Sequence, residues 1–300
     1  QKAKMFPSIS EYTSALRHAE SGTFRSLRLT LSLNGKGEPI YSRGSYSVVF
    51  KAHSKGNERE AWAIKCYVAE QERRIPSCRA IAQQLNSITS PYLLPMRLCE
   101  EELRIGDTYY PLVLLPWVEG KSLVREVDCH LHSPERLLQL SQDFGHFAYW
   151  LRSQPFAHGD LKSDNLRIRP DGSIVLLDYD GIYLPSMQGE LPREEGNPDY
   201  THPLCSPSDF NLHASDFALA VIALSLRALA LAPELFSRFG GRDHLLLSAW
   251  DFRHPKQSPA LEALKSLPHD AYLARLLDLF FQALEKKNLA HIPPQQFLPL

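Results

Sequence analysis

The segment "AHGDLKSDNLRI" (residues 157–168) joins a helix-like stretch to a strand-like one. From His158 to Asn165 it contains a histidine, two acids, a lysine and an amide. Catalytic side chains are commonly presented on loops that rigid elements hold in place. Asp and Asn are also frequent in ordinary polar turns, so the segment indicates a function only in combination with other parts of the chain.

A further acid lies downstream, where Asp178 stands in "LLDYDG" (176–181). Mg²⁺ takes oxygen ligands, typically one or two carboxylates together with phosphate oxygens of a substrate. An additional carboxylate can accept the proton of an attacking hydroxyl. The combination of Asp160, Asn165 and Asp178 therefore suits metal-assisted phosphate chemistry.

Two upstream segments are suited to phosphate binding. Lys65 lies in the strand-like "WAIKCY" (62–67), where a fixed ammonium can hold phosphate oxygens. Before it, "SRGSYSVVFKA" (42–52) has a turn of small residues between two strand patterns, and such a turn lets backbone approach a phosphate closely. The chain thus presents, in order, a small-residue turn, a strand lysine, a polar loop and an acid.

Hydrophobic periodicity divides the chain into a strand-rich first part and a helical second part. Strand patterns at 45–53 and 61–68 flank the polar turn signal "SKGNERE" and predict a hairpin. One prominent helix is predicted in the first part, at 77–88. In the second part a long helix is predicted at 133–154, and helical patterns continue from Ser215 onward.

The ordered series resembles the eukaryotic-type protein kinase family, in a Ser/Thr kinase-like variant similar to bacterial kinase-like proteins. The resemblance rests on "AIK" (63–65), "HGDLKSDN" (158–165) and "LLDYDG" (176–181), and it spans roughly residues 41–230. It implies an α+β, bilobal protein-kinase-like fold. The N-lobe would be small and β-rich with one main helix, and the C-lobe would be larger and helical.

The same resemblance sets the expected domain boundaries. Residues 1–40 would be an N-terminal extension that packs on the kinase-like domain, residues 41–117 the N-lobe, and residues 118–300 the hinge and C-lobe. A chain of 300 residues is long enough to give each of two lobes its own core.

The resemblance also implies roles for individual residues. Asp160 would be the catalytic base, Lys162 would contact the γ-phosphate of ATP, and Lys65 would pair with the α- and β-phosphates. Asn165 and Asp178 would bind Mg²⁺, with Mn²⁺ as a possible replacement. The other nucleotide-binding positions belong to the phosphate loop, the adenine site and the hinge: Gly44, Ser45, Val49, Ala63, Leu115 and Val118.

Several departures from the family pattern bear on function. Ser42 and Ser47 stand where the phosphate loop usually has glycines. Gly159 replaces the usual Arg before the catalytic acid, which removes the cation that normally pairs with a phosphorylated activation segment. The helix predicted at 77–88 has no acid to pair with Lys65.

Four further acids have roles that the sequence implies or leaves open. Glu70 and Glu72 lie upstream of the predicted helix and are candidates to pair with the strand lysine if the helix begins differently. Asp180 occupies the glycine position of the metal motif, where its carboxylate either adds a metal ligand or faces solvent. Asp216, the leading acid of "ASDFALAVIALSL", would brace the backbone of the catalytic loop.

Three functions follow from these residues. The first is an ATP–Mg²⁺-dependent Ser/Thr protein kinase-like phosphotransferase. The second is a pseudokinase that acts as a nucleotide-binding or scaffold module, which the missing helix acid and the substituted loop glycines favour. The third is a small-molecule kinase of the aminoglycoside or choline type; Lys162, two residues after the catalytic acid, argues for the protein kinase pattern instead.

Composition and charge disfavour some classes of binding partner. The formal net charge is −1, so no global basic field indicates nucleic acid or a membrane surface as a partner. The most apolar run, Phe217–Leu226, is too short to span a bilayer. Five cysteines without CxxC spacing favour a reducing, cytoplasmic location. The resemblance to protein kinases implies ATP and an unidentified protein as the partners.

Overall fold

The computed structural model describes residues 6–70 and 73–300. By its internal contacts the chain divides into two compact units, Gln1–Val118 and Glu119–Leu300. Glu72, one of the acids considered as a partner for Lys65, lies outside the described residues.

The N-terminal unit is built on a six-stranded sheet in which β1, β3, β4, β6 and β5 follow one another and β2 also pairs with β3. All of these pairings are antiparallel. The strands and helices of the unit are α1 (Ile9–Arg17), β1 (Leu29–Leu31), β2 (Tyr41–Arg43), β3 (Ser47–Ser54), β4 (Asn57–Tyr67), α2 (Arg74–Asn86), β5 (Arg97–Ile105) and β6 (Thr108–Pro116).

The predicted hairpin is present as β3 and β4, and its second strand begins earlier than the sequence pattern indicated. β3 ends at Ser54 and β4 begins at Asn57, so most of the polar residues expected in the turn belong to a strand. Gly56 has a φ of 82°, and a glycine in this left-handed region lets the chain reverse within two residues. The tight turn therefore lengthens the pairing that carries Lys65.

One face of the sheet forms the buried core of the N-terminal unit. Val48, Phe50 and Ile64 belong to this cluster, and α1 contributes Tyr12 and Leu16 to it. The hydroxyl of Tyr12 also donates a hydrogen bond of 2.7 Å to the carbonyl at the end of β4. Helix α1 is thus packed on the sheet, and β1 is one of the strands of the sheet.

The C-terminal unit consists mainly of helices, with short strands around the predicted catalytic loop (residues 158–165). β9 and β10 form one hairpin, and β8 pairs with β11. Its elements are β7 (Lys121–Ser122), α3 (Leu123–Cys129), α4 (Pro134–Arg152), β8 (Ala157–His158), β9 (Leu166–Ile168), β10 (Ile174–Leu176), β11 (Ile182–Tyr183), α5 (Asp216–Leu231), α6 (Leu235–Phe239), α7 (Ala249–Arg253), α8 (Pro259–Lys265) and α9 (Ala271–Lys286).

Helix α5 is buried along most of its length, and both α4 and α9 pack against it. It contains the apolar run Phe217–Leu226, all of whose residues are buried. Among the described residues, no helix combines the length and apolar character that crossing a bilayer requires. An antiparallel sheet with α2 as its main helix, followed by a helical region, confirms the predicted α+β class.

Candidate active site

The predicted adenine-site residues share one face of the N-terminal sheet. The register places Val49 opposite Lys65 and Lys65 opposite Val113, while Ala63 lies opposite Leu115. Directly opposed residues of antiparallel strands project to the same face, and successive residues alternate between faces. Val49, Ala63, Lys65 and Leu115 therefore project from the face opposite the one that carries the buried core.

Lys65 is the unusual member of this face. Only 7% of it is exposed, although lysine is almost never fully buried unless it is paired. Its neighbours in the register are the apolar Val49 and Val113. This environment distinguishes Lys65 from a solvated strand lysine.

The other predicted nucleotide contacts lie at the ends of strands. Gly44 and Ser45 are exposed in the turn between β2 and β3. The Gly44 N–H donates to the Ser47 carbonyl at 2.8 Å, which closes the turn. Val118 follows β6, where the Trp117 N–H donates to a carbonyl of β4 at 3.0 Å. These positions supply backbone groups at the rim of the face that carries Lys65.

Helix α2 offers no carboxylate, as the sequence predicted. None of its 13 residues, all of which the structure describes, is acidic. The guanidinium of Arg74 at its start lies 5.3 Å from the ring centre of Tyr46 and 4.8 Å from that of Tyr67. Glu70 precedes the helix and is exposed. α2 is thus fastened by cation–π contacts to the turn between β2 and β3 and to the end of β4.

In the C-terminal unit, Asp160 lies at the centre of a hydrogen-bonded loop and is 6% exposed. Lys162 Nζ donates to Asp160 Oδ2 at 2.7 Å. Asn165 Nδ2 donates to the Asp160 carbonyl at 2.7 Å. The backbone N–H of Asn197 lies 3.4 Å from Asp160 Oδ1. The carboxylate is therefore oriented from both of its oxygens, which a positioned base requires.

Electrostatics keep the lysine of this loop charged. Burial by itself lowers the pKa of Lys162, but the hydrogen bond and negative charge of Asp160 outweigh it, so that the pKa is raised above the ordinary value. Asp178 and Glu194 add to this increase. The negative charges of Asp160, Asp178 and Glu194 thus all favour the protonated form of Lys162.

Asp178 stands next to this loop in an uncommon backbone conformation. Its φ is 56° and its ψ is 81°, a left-handed region that few non-glycine residues adopt and that Asp tolerates better than most. The Leu177 N–H donates to the Asn165 carbonyl at 2.8 Å, which ties the two motifs together. Such conformations cost about 1–3 kcal/mol and cluster at functional sites.

The structure thus brings Asp160, Lys162, Asn165 and Asp178 together within the C-terminal unit. The donor set fits Mg²⁺, which prefers carboxylate and amide oxygens. Because Asn165 Nδ2 donates to a backbone carbonyl, the orientation of the amide is fixed and Oδ1 is the atom offered to a metal. Asp178 is half-buried and supplies the carboxylate.

Two neighbouring residues support this arrangement. The ring of His158 links the motifs, since its Nδ1 accepts from the Asp160 N–H at 3.3 Å and its Nε2 lies 2.9 Å from the Leu177 carbonyl. His158 is fully buried, and these contacts agree with a supporting role. Asp180 is 8% exposed, so of the two alternatives for its side chain the solvent-facing one is wrong.

The expectation that Asp216 braces the catalytic loop is also wrong. Its carboxylate accepts instead from Arg152 Nε at 3.0 Å and from the Leu289 N–H at 2.8 Å. The preceding residue, Ser215, braces the loop: its Oγ accepts from the His158 N–H at 2.8 Å and donates to the His158 carbonyl at 3.1 Å. Neighbouring helical positions project about 100° apart, so only one of the two faces the loop.

A sequence signal for Ser215 existed. It is the residue that precedes α5, where Ser usually caps the N-terminus of its own helix. Here its side chain makes no such cap, because both of its hydrogen bonds go to His158.

A close approach of two backbone segments explains why position 159 is a glycine. Its N–H donates to the Gly181 carbonyl at 3.0 Å. A Cβ atom at Gly159 would lie 2.5 Å from that carbonyl oxygen and 3.2 Å from the ring of Phe210. The position of the family's Arg therefore has no room for a side chain in this structure.

Comparison with known proteins shows a distant similarity to a protein kinase. No family model matches the chain. Over 172 residues, which are 54% of the chain, it is 26% identical to the serine/threonine-protein kinase ULK3 of Xenopus laevis. The matched segment covers 35% of that protein, so the chain spans about a third of its relative's length.

This similarity agrees with the fold and with the order of the motifs. An antiparallel sheet that carries Lys65 precedes a helical unit that gathers Asp160, Asn165 and Asp178. The distant homology and the α+β fold together support a relationship to the protein kinase-like superfamily.

Proposed function

We propose that this protein transfers the γ-phosphate of ATP to a serine or threonine hydroxyl of a protein substrate. The observation that carries the proposal is the Asp160 carboxylate, buried and oriented from both oxygens, beside an ammonium and the Asp178 motif. A base, a cation and two metal-type oxygen donors in one loop cluster match what phosphoryl transfer requires.

Asp160 would accept the proton of the substrate hydroxyl while the oxygen of that hydroxyl attacks the γ-phosphorus. The new P–O bond forms while the bond to the β–γ bridging oxygen breaks, and ADP leaves. Lys162, whose raised pKa keeps it cationic, would contact the γ-phosphate as negative charge spreads over its oxygens. The Asn197 N–H would hold Asp160 Oδ1 in position.

Asn165 and Asp178 would hold the metal ion through Oδ1 of the amide and through the carboxylate. When bound, Mg²⁺ would neutralise negative charge on the phosphate groups. The left-handed backbone at Asp178 sets the direction in which its side chain leaves the main chain.

The N-terminal unit would hold the nucleotide. Val49, Ala63 and Leu115 would contact adenine from one sheet face, and Lys65 would pair with the α- and β-phosphates. The turn at Gly44 and Ser45 would follow the phosphates, and the Val118 backbone would bond to the adenine edge. The register that puts Lys65 beside Val49 supports this assignment.

A nucleotide-binding module without catalysis is the second candidate, because α2 has no acidic residue. Without a carboxylate from that helix, Lys65 would depend on other groups for its position. Catalysis is favoured by four positions that carry the residue types expected of an active kinase: Asp160, Lys162, Asn165 and Asp178. Under either function the protein would bind ATP.

The proposal is tested with γ-labelled ATP, Mg²⁺ and Mn²⁺, and a mixture of Ser/Thr-containing proteins. Asp160→Asn and Asp178→Asn are expected to abolish label transfer, while Asp171→Asn is the matched control. Asp171 lies exposed in the β9–β10 turn and accepts from Ser173, and asparagine can serve the same turn.

Transfer by the wild type that disappears in both site variants and persists in Asp171→Asn supports the kinase. A nucleotide-induced thermal shift without any transfer would favour the binding module. Label that appears only on small metabolites or drugs would replace the protein substrate by a small molecule.

A further inference from the structure

Arg193, between the Asp178 motif and Asn197, makes contacts that the proposed mechanism does not use. Its Nε donates to the Asp180 carbonyl at 3.0 Å, and its Nη2 donates to the Ile182 carbonyl at 2.5 Å. The guanidinium also lies 5.7 Å from the ring centre of Phe210. One side chain thus holds two backbone carbonyls in a fork that only arginine forms.

The two carbonyls flank the residue that touches the catalytic loop. Gly181 lies between them and accepts the Gly159 N–H at 3.0 Å. Ile182 pairs with His158 in the short β8–β11 ladder. A shift of the backbone from Asp180 to Ile182 would therefore move the residues that immediately precede the base.

Arg193 also lies close in sequence to a second contact with the base. Four residues further on, the Asn197 N–H points at Asp160 Oδ1 at 3.4 Å. Between them, Glu194 contributes to the raised pKa of Lys162. Residues 193–197 therefore run along the catalytic loop, with Arg193 as one anchor and Asn197 as the other.

We propose that Arg193 is a positioning residue, which clips the segment 180–197 to the catalytic loop and orients Asp160 without a phosphate group. The inference rests on the proposed function, and it names how that site is held ready. In the family that the sequence resembles, an Arg before the base meets a phosphorylated segment. Here that position is Gly159, which has no room for a side chain, and the cation comes from the segment itself.

The clip differs from a phosphate switch in its acceptors. Backbone carbonyls are permanent, so the guanidinium needs no modification to find its partners. Between Ile182 and Asn197 the sequence has two hydroxyl side chains, Tyr183, which is buried, and Ser186, which is exposed. Phosphorylation of Ser186 is expected to leave activity unchanged.

The first test measures amide hydrogen exchange in the full chain and needs no activity. Arg193→Met is expected to speed exchange at Gly159 and Asn197 by at least about tenfold, because both contacts lose their anchor. The matched control is Arg125→Met, since Arg125 is an exposed arginine of α3. Arg193→Lys keeps the charge but loses the fork, so an intermediate increase in exchange is expected. This variant decides the test if the methionine variant folds poorly.

The second test compares rates of phosphate transfer. Arg193→Met is expected to lower kcat by about 10- to 100-fold, the cost of a misplaced catalytic group, while the KM for ATP changes less than about threefold. Ser186→Ala and phosphatase treatment are expected to leave kcat unchanged.

The proposal is overturned if both Arg193 variants exchange like Arg125→Met. It is also overturned if Ser186→Ala or phosphatase lowers kcat as much as Arg193→Met does. If the wild type transfers no phosphate, the proposed kinase function fails, and the exchange measurement alone still decides whether Arg193 holds the loop.

Discussion

Two glycines that face each other next to Asp160, Gly159 and Gly181, are expected to respond differently to the same added methyl group. A Cβ atom at Gly159 would meet the Gly181 carbonyl oxygen at 2.5 Å, and real Cβ atoms essentially never come closer than 3.0 Å. A Cβ atom at Gly181 would meet nothing closer than Asp160 N at 3.4 Å, an ordinary contact. Neither glycine has a positive φ, so backbone strain does not complicate the comparison.

The magnitude follows from this geometry. In Gly159→Ala the backbone must separate by about half an ångström, which costs about 1–3 kcal/mol for an overpacked buried site. Both substitutions restrict the unfolded chain and gain about 0.4–1 kcal/mol from that effect. Because this gain is common to both variants, we expect Gly159→Ala to be less stable than Gly181→Ala by about 1–3 kcal/mol.

Urea unfolding of the full chain measures this difference. Gly181→Ala is expected to match or slightly exceed the wild-type free energy of unfolding, and Gly159→Ala to fall below it with an unchanged m-value. Equal midpoints for the two variants would refute the close approach of these segments. So would a Gly181→Ala variant that is the less stable of the two.

Two further predictions concern side chains outside the loop. Ser215→Ala is expected to lower the free energy of unfolding in urea by about 1–3 kcal/mol, because it leaves the buried His158 N–H without an acceptor. Ser141→Ala is the control and should be nearly neutral, since Ser141 Oγ has no hydrogen-bond partner among the described residues. Equal losses in the two variants would contradict the bracing role of Ser215. The hydrogen bond from Arg227 holds the pKa of Asp270 below its ordinary value of 3.8, so Asp270 stabilises the fold above that pH and the contribution fades as the pH falls through the folded pKa. Asp270→Asn should therefore cost about 2 kcal/mol at pH 7, and the gap should close below pH of about 4; a gap independent of pH would contradict the assignment.

The sequence predicted those parts of the molecule that local patterns determine. Alternating and helical periodicities located the β3–β4 hairpin and the long helix α4, because each pattern needs only neighbouring residues. The motifs that carry Lys65, Asp160, Asn165 and Asp178 resemble those of protein kinases, and that resemblance implied the α+β class found in the structure.

Contacts between distant segments could not be derived in the same way. Ser215 braces the loop in place of the expected Asp216. Which of the two does so depends on which position of the helix faces the loop, and the sequence pattern does not specify that rotation. The absence of a side chain at Gly159 reflects the Gly181 carbonyl, which pairing across the fold brings there. Tertiary packing decided both features.

The most direct test of phosphoryl transfer with Asp160 as the base is phosphoamino-acid analysis of acceptor proteins that have been labelled from γ-labelled ATP. With the wild type, label is expected on serine or threonine, and with Asp160→Asn it is expected to fall to background while ATP still binds. Label that persists undiminished in Asp160→Asn would contradict the assignment of the base. A wild-type protein that binds ATP and labels no acceptor would contradict the kinase function itself.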